Sequence, residues 1–204
     1  MLYNKIIFAT GNEGKMKEVR AILADTGMEV LSMKEAQISV DVDENGKTFA
    51  ENAVIKATAI AKYAKDAIVL SDDSGLVVDG LNGEPGIYSA RYMGEDTSYR
   101  IKNANIMKRL DDLAKSSKAE RSASFVCAIA AVLPDGRVFT TLGEVLGYIG
   151  HEELGEGGFG YDPIFMVAEF DQSSAQLSPE VKNAISHRGK ALVEMKKLLM
   201  SQIG

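Results

Sequence analysis

The sequence predicts an α/β fold built on a mixed sheet, and three observations carry that expectation. Short apolar runs closed by glycine or acid, at residues 5–10 and 67–71, read as buried strands. Stretches with apolar residues at helical spacing follow such strands, the pattern of strand–loop–helix units. Residues 122–133 and 137–149 are long β-rich runs separated by Pro-Asp-Gly, a hairpin signal. Crossover units place strands in parallel and a hairpin places them antiparallel, so a sheet holding both is mixed.

The elements follow in order. KIIFAT, residues 5–10, is the first strand, and a helix is expected from Gly14, where Met16, Val19, Ile22 and Leu23 share a face until Gly27. Residues 29–33 make a second short strand before the acidic, turn-like SVDVDENG. Thr48 opens a helix: Thr48 and Glu51 form a capping box, and Ala50, Val54, Ala57 and Ala61 fall on one face. AIVLS, residues 67–71, is a buried strand expected to end at Asp72-Asp73. A loop rich in Gly and Pro spans 79–94, and a helix is expected at about 98–115. After the hairpin comes the glycine cluster GEGGFGYDP. Ser178 and Pro179 suit the N-cap and first residue of a short helix. The chain closes on an amphipathic helix carrying Leu192, Met195, Leu198 and Leu199.

The 204 residues suffice for one domain, or two small lobes, with a real interior. A net charge of −6 argues against a broad basic surface for nucleic-acid duplexes but leaves room for a small anionic ligand. The single cysteine, Cys127, excludes an internal disulfide and lies in an apolar run, so inert burial in a reducing cytoplasm is expected. No run reaches the roughly 20 apolar residues of a membrane span, and the N-terminal run is too short for a signal peptide. The expectation is a soluble, cytoplasmic protein.

Four segments carry chemistry. FATGNEGKMKEV, residues 8–19, resembles a phosphate loop, yet only two residues separate Gly11 from Gly14 and Met16 follows Lys15, so it is not a Walker A loop. A strand feeding a glycine turn into a helix still offers free amides and the positive helix end, with Lys15 adding charge. A plain tight turn fits this segment equally well. SDDSG, residues 71–75, sets two acids between apolar runs, where like charge and desolvation are costly without a cation. A magnesium ion brought by a polyphosphate would relieve that cost, with Glu44 as a further carboxylate. GGFGYDP, residues 157–163, joins flexible backbone to two rings and an acid, so a base could stack on Phe159. SHRG, residues 186–189, with Lys182 upstream, groups cations suited to phosphate or purine oxygens. Anion loop, metal acid, aromatic loop and cationic clamp together make the parts of a nucleoside triphosphate site.

The blocks TGNEGK, TFAENA, SDDSGL, GEPGIYSARY, GGFGYDPIF and AISHRG resemble, in order, those of the inosine/xanthosine triphosphate pyrophosphatase family, from about residue 6 to about residue 198. The resemblance implies a single domain of two α/β lobes around a long mixed sheet, with the nucleotide in a cleft between them. It implies Mg²⁺-dependent hydrolysis of deaminated purine triphosphates to monophosphate and pyrophosphate, and a homodimer. Thr10, Gly11, Asn12, Glu13, Gly14 and Lys15 would then hold the triphosphate. Asp73 would bind magnesium and act as base, Glu44 would be a second metal ligand, and Ser74 would touch substrate. Phe159, Gly160, Tyr161 and Asp162 would pack against and read the base, and Lys182, His187 and Arg188 would complete recognition. The rivals are a pyrophosphatase for pyrimidine or ordinary triphosphates and a non-enzymatic nucleotide sensor, which would have no need of a base beside a cation site.

Overall fold

A computed structural model describes residues 3–203. It contains strands β1 (Lys5–Phe8), β2 (Glu29–Ser32), β3 (Ile68–Val78), β4 (Ser122–Val132), β5 (Val138–Ile149), β6 (Phe165–Val167) and β7 (Gln172–Ser173). The helices are α1 (Glu13–Leu23), α2 (Phe49–Ala61), α3 (Tyr99–Asp112), α4 (Pro179–Ile185) and α5 (His187–Ile203). The seven strands form one sheet in the order β2-β1-β3-β4-β5-β6-β7. β1 pairs in parallel with β2 and β3, whereas β6 pairs antiparallel with β5 and β7, so the sheet is mixed as expected.

The chain divides into two compact units. The first comprises residues up to Asp73, Cys127–Gly143 and the segment from His187; the second comprises Ser74–Val126 and Glu144–Ser186. In the first unit the period-2 alternation of the strands sorts apolar residues onto two faces. Ile6, Phe8, Ile68, Leu70, Cys127 and Ile129 meet Met16, Val19 and Leu23 of α1 and Leu192, Met195 and Leu199 of α5. Ile7, Val69, Ala128 and Ala130 meet Ala53, Ala57 and Ile60 of α2. Each buried leucine or isoleucine contributes roughly 1.5–3 kcal/mol, which fixes the register of β1 and β3 against these helices. The second unit has its own core, in which Leu76, Val78, Ile106, Leu110, Phe125, Ile149 and Phe165 pack together.

Several elements differ from the sequence expectation. β1 stops at Phe8 because Thr10 N bonds back to Phe8 O at 2.8 Å instead of extending the ladder. β2 ends at Ser32, whose N–H is taken by the Glu35 carboxylate at 2.7 Å. α1 begins at Glu13, capped by Asn12, whose side chain accepts from Lys15 N, and a 3-10 turn at Ala24–Thr26 precedes Gly27. At α2, Thr48 accepts from Glu51 N as predicted, but the Glu51 carboxylate takes the amide of Lys47 rather than that of Thr48. The fully buried face of α2 is Ala53, Ala57 and Ile60; Ala50, Val54 and Ala61 are only partly covered. α3 ends at Asp112, short of 115. β6 and β7 are two or three residues long, too short to leave a period in the sequence. The largest correction is β3, which does not end before the acids: it runs through Asp72, Asp73 and Ser74 to Val78 without a break.

Candidate active site

That continuity decides the geometry of the acids. Successive residues of a strand point to opposite faces. Asp72 therefore follows Ile68 and Leu70 towards α1 and α5, and Asp73 follows Val69 and Ser71 towards α2, where Ser71 Oγ donates to Ala53 O. Neighbours in sequence, the two carboxylates answer to different surroundings.

Asp72 is fully buried and is held by cations on two elements. Lys15 Nζ lies 2.9 Å from Oδ2 and 3.2 Å from Oδ1, and Arg188 Nε lies 3.1 Å from Oδ2. Arg188, near the start of α5, also donates through Nη1 to Glu18 Oε2 at 2.8 Å, and Glu18 sits one turn after Lys15 on α1. Burial alone would raise the Asp72 pKa, but the charges of Lys15, Arg188 and Lys56 outweigh it and hold the carboxyl well below its usual range. Cys127 shares this face; burial, then the negative charge of Asp72, pushes its thiol up, so it is an inert packing residue.

Asp73 meets the opposite balance. Asn52 Nδ2 donates to its Oδ2 at 3.0 Å, and burial, reinforced by the charges of Glu44 and Asp72, pushes its pKa up to about 6. The Asn52 hydrogen bond and the charge of Lys56 act the other way and are outweighed. Lys56 Nζ bonds to Glu44 Oε1 at 2.5 Å and to Asp72 O at 3.1 Å. A carboxylate poised near neutrality is what general-base chemistry requires.

The donor set on this face fits a hard divalent cation. Asp73 and Glu44 are oxygen donors whose mutual repulsion already raises one of them, and a cation would relieve it. Among the described residues no three His, Cys, Asp or Glu side chains form a group that could hold a metal ion.

The expected phosphate loop has a defined shape. Thr10 is buried and its Oγ1 accepts from Asn12 N at 3.1 Å, while Asn12 Oδ1 accepts from Lys15 N at 3.1 Å. Nothing lies within 4 Å of where a Cβ on Gly11 would stand, and Gly14 would meet only the Asn12 side chain. Glu13 is the first residue of α1, so the helix end carries an acid beside Lys15.

In the second unit a separate group forms around Asp162. Its Oδ2 accepts from Lys182 Nζ at 2.5 Å and from Phe159 N at 2.7 Å. Gly158 makes this possible: a Cβ there would stand 2.2 Å from Asp162 Oδ2, and its φ of 73° favours glycine independently. Phe159 is 45% exposed, with Lys182 Nζ 5.3 Å from its ring centre. Tyr161 is buried instead; its hydroxyl donates to Ser89 O at 2.7 Å and its ring meets Tyr99 edge-on. Gly160 O accepts from Asn103 Nδ2 at 3.3 Å. Ser74, half-buried, is the next residue of β3, and His187, also half-buried, starts α5.

Of the expected cationic clamp, Lys182 pairs with Asp162, and Arg188 pairs with Asp72 and Glu18. Lys15 and Arg188 meet on one carboxylate, and Glu44 and Asp73 meet through α2. Sequence reasoning missed Glu18, Asn52 and Lys56. The last two had a signal, since they are polar residues four apart, one helical turn, in the helix that Thr48 opens.

A sequence model of the Ham1 family matches residues 6–198. A dITP/XTP pyrophosphatase of Bacillus subtilis is 46% identical over 199 residues, covering 98% of each chain. One from Clostridium perfringens is 46% identical over 197 residues, covering 94% of this chain and 95% of that one. Among solved structures, a HAM1 protein from Coxiella burnetii superposes with a TM-score of 0.87 at 37% identity, covering 98% of this chain and all of that chain. The Ham1 protein of Staphylococcus aureus gives 0.83 at 44% identity, covering 97% and 99%.

Proposed function

The chain belongs to the Ham1 family, and from that premise we propose that it hydrolyses deaminated purine nucleoside triphosphates to the monophosphate and pyrophosphate. The observation that carries the reading to particular atoms is Asp73, raised to about 6 beside Glu44 and Lys56 in a chain this similar to dITP/XTP pyrophosphatases. A general base of this kind takes a proton from water as the oxygen attacks the α-phosphorus, and the bond to the departing pyrophosphate breaks.

In this reading Lys56 holds Glu44 beside the base. Residues Thr10 to Lys15 receive the triphosphate with the helix end and one ammonium, and Ser74 touches substrate. Phe159, Gly160, Tyr161 and Asp162 are assigned to the base with Lys182, and His187 and Arg188 complete recognition. What supports Phe159 is an exposed ring beside a cation; what supports Tyr161 and Asp162 is that they fix the loop around it. For Arg188 the support is indirect, through the carboxylate it shares with Lys15. Mg²⁺ held by Asp73, Glu44, substrate oxygens and water would neutralise the phosphates and polarise the bond that breaks. The reading also takes the chain as one pyrophosphatase domain of two lobes that works as a cytoplasmic homodimer. Among the described residues no helix is long and apolar enough to cross a membrane.

Pyrophosphate release is to be compared for inosine, xanthosine, adenosine, guanosine and uridine triphosphates, with Mg²⁺ and with chelator. The expected result is turnover of the first two, dependent on the metal and orders of magnitude above the others. Equal turnover of ATP, or of uridine triphosphate, would overturn the substrate assignment.

A further inference from the structure

Asn52 is completely buried, and both ends of its amide are spent on the two acids of the α2 face, one directly and one through the backbone. Nδ2 donates to Asp73 Oδ2 at 3.0 Å, and Oδ1 accepts from Gly46 N at 2.8 Å. Gly46 follows Glu44 by two residues, so one amide links the strand that bears Asp73 to the loop that bears Glu44.

The rest of the surroundings makes that link rigid. Asn52 sits in the first turns of α2, whose start is fixed by Thr48 Oγ1 on Glu51 N at 3.1 Å and by Glu51 Oε2 on Lys47 N at 2.6 Å. The loop is pressed onto this turn so closely that a Cβ at Gly46 would stand 2.7 Å from Asn52 Oδ1 and 2.8 Å from Glu51 Cβ. Lys56, one turn further along α2, holds Glu44 Oε1 at 2.5 Å. Residues 45–47 and the outer side of α2 also line an open groove of about 530 Å³. An asparagine competes poorly in a helix interior, and burying its amide is unfavourable unless every polar atom is matched. Here the donor end and the acceptor end are both matched, and both on this site.

We propose that Asn52 is a positioning residue, setting the separation of Glu44 from Asp73 by holding the Gly46 amide and the Asp73 carboxylate on one side chain. The inference rests on reading those two acids as the working pair. It predicts that the loop loses its place when the amide is removed, even with no nucleotide present. Partners of this kind, behind metal or catalytic carboxylates, are worth 10–100-fold in metal affinity or activity.

Three variants separate the two ends of the link. In Asn52→Ala, deuterium exchange across residues 41–47 should quicken and Mn²⁺ affinity, measured calorimetrically without nucleotide, should fall about 10–100-fold. Its kcat on inosine triphosphate should fall by a similar factor, with KM within about threefold. Asn52→Asp keeps an acceptor for Gly46 N but sets a second carboxyl against Asp73, which ties up its proton instead of orienting its anion, so exchange should stay near wild type while kcat still falls. Gly46→Ala leaves Asn52 intact and displaces the loop, so exchange should quicken and kcat should fall. If Asn52→Ala folds and keeps wild-type exchange and cation affinity, or loses activity through KM alone, the proposal is overturned; should it not fold, the other two variants decide. The exchange and cation measurements contain no nucleotide, so they judge Asn52 even if inosine triphosphate proves not to be a substrate.

Discussion

On the α1 and α5 face of β3, Asp72 is buried against Lys15 and Arg188 and stays ionised. On the α2 face, one residue later, Asp73 receives a single amide donor, has Glu44 as a neighbour, and is pushed up to about 6. The same side chain thus meets two fates, once as the anionic centre of an ion-pair network and once as a carboxyl whose burial favours its proton. The difference teaches that the alternation of a strand, rather than a loop, can give adjacent acids opposite electrostatic surroundings.

The comparison breaks first at Asp73. Asp73→Asn should lower kcat by about 10²–10⁴-fold, the usual contribution of a general base, with the fold retained. Near wild-type turnover in the purified variant would remove Asp73 from the chemistry. The pH dependence gives a sharper form. The folded pKa lies above the ordinary value of 3.8, so ionisation opposes folding, and stability should fall as pH rises from about 4 to about 6. In metal-free buffer at pH 7.5 the Asn variant should therefore melt higher than wild type, and near pH 3.5 the two should agree. A variant that melts lower than wild type at pH 7.5 would show that Asp73 is stabilised as an anion.

Asp72→Asn tests the other side. Removing one partner of a buried ion pair costs about 3–5 kcal/mol, since Arg188 and Lys15 would be left facing a neutral amide. Denaturant unfolding at pH 7 measures it. The sign with pH is opposite to that of Asp73. A depressed pKa stabilises above the ordinary carboxylate range and loses that contribution as pH falls below it, so the gap between wild type and variant should narrow in acid. A loss under 1 kcal/mol would mean that the network adds little to stability.

How much of this could be read in the sequence follows from where each determinant lies. β1, α2 and the β4–β5 hairpin depend on local periodicity, caps and the Pro-Asp-Gly turn, and all three were legible. The middle of β3 was not, because Ser-Asp-Asp-Ser-Gly has the composition of a turn and is kept extended only by partners elsewhere. Lys15 lies 57 residues before Asp72 and Arg188 lies 116 after it, separations that no local window spans. The two acids were visible as candidates; which of them faced cations was not. Lys182 and Arg188 are close in sequence, and the fold gives them different carboxylates.

Lys15→Ala should have an intermediate effect on ligand binding. Loss of a charge-assisted contact costs about 1.5–3 kcal/mol, and a lysine serving the polyphosphate should weaken a non-hydrolysable triphosphate more than the monophosphate. Because Lys15 also neutralises Asp72, the variant should lose stability as well, though less than Asp72→Asn, since Arg188 remains. Calorimetric titration with both ligands and a melting curve check these. Equal losses for the two nucleotides would confine Lys15 to the Asp72 network.

The smallest effect is expected in the second unit, where the Asp162 carboxylate is held by Lys182 and by the Phe159 amide. Its work is to present the one large ring of this loop that stays exposed, since Tyr161 is turned inward onto Ser89 and Tyr99. Phe159 has no group that can transfer a proton, so changes to its ring should affect binding and leave the chemical step alone. Stacking of a base on an aromatic side chain is worth about 1–3 kcal/mol by truncation, and a leucine keeps part of the apolar contact. Phe159→Leu should therefore raise KM for inosine triphosphate several-fold with kcat little changed, the pattern of lost uniform binding. If kcat falls instead while KM holds, the ring acts in the transition state, and the division of labour drawn from the two acids of β3 does not extend to this loop.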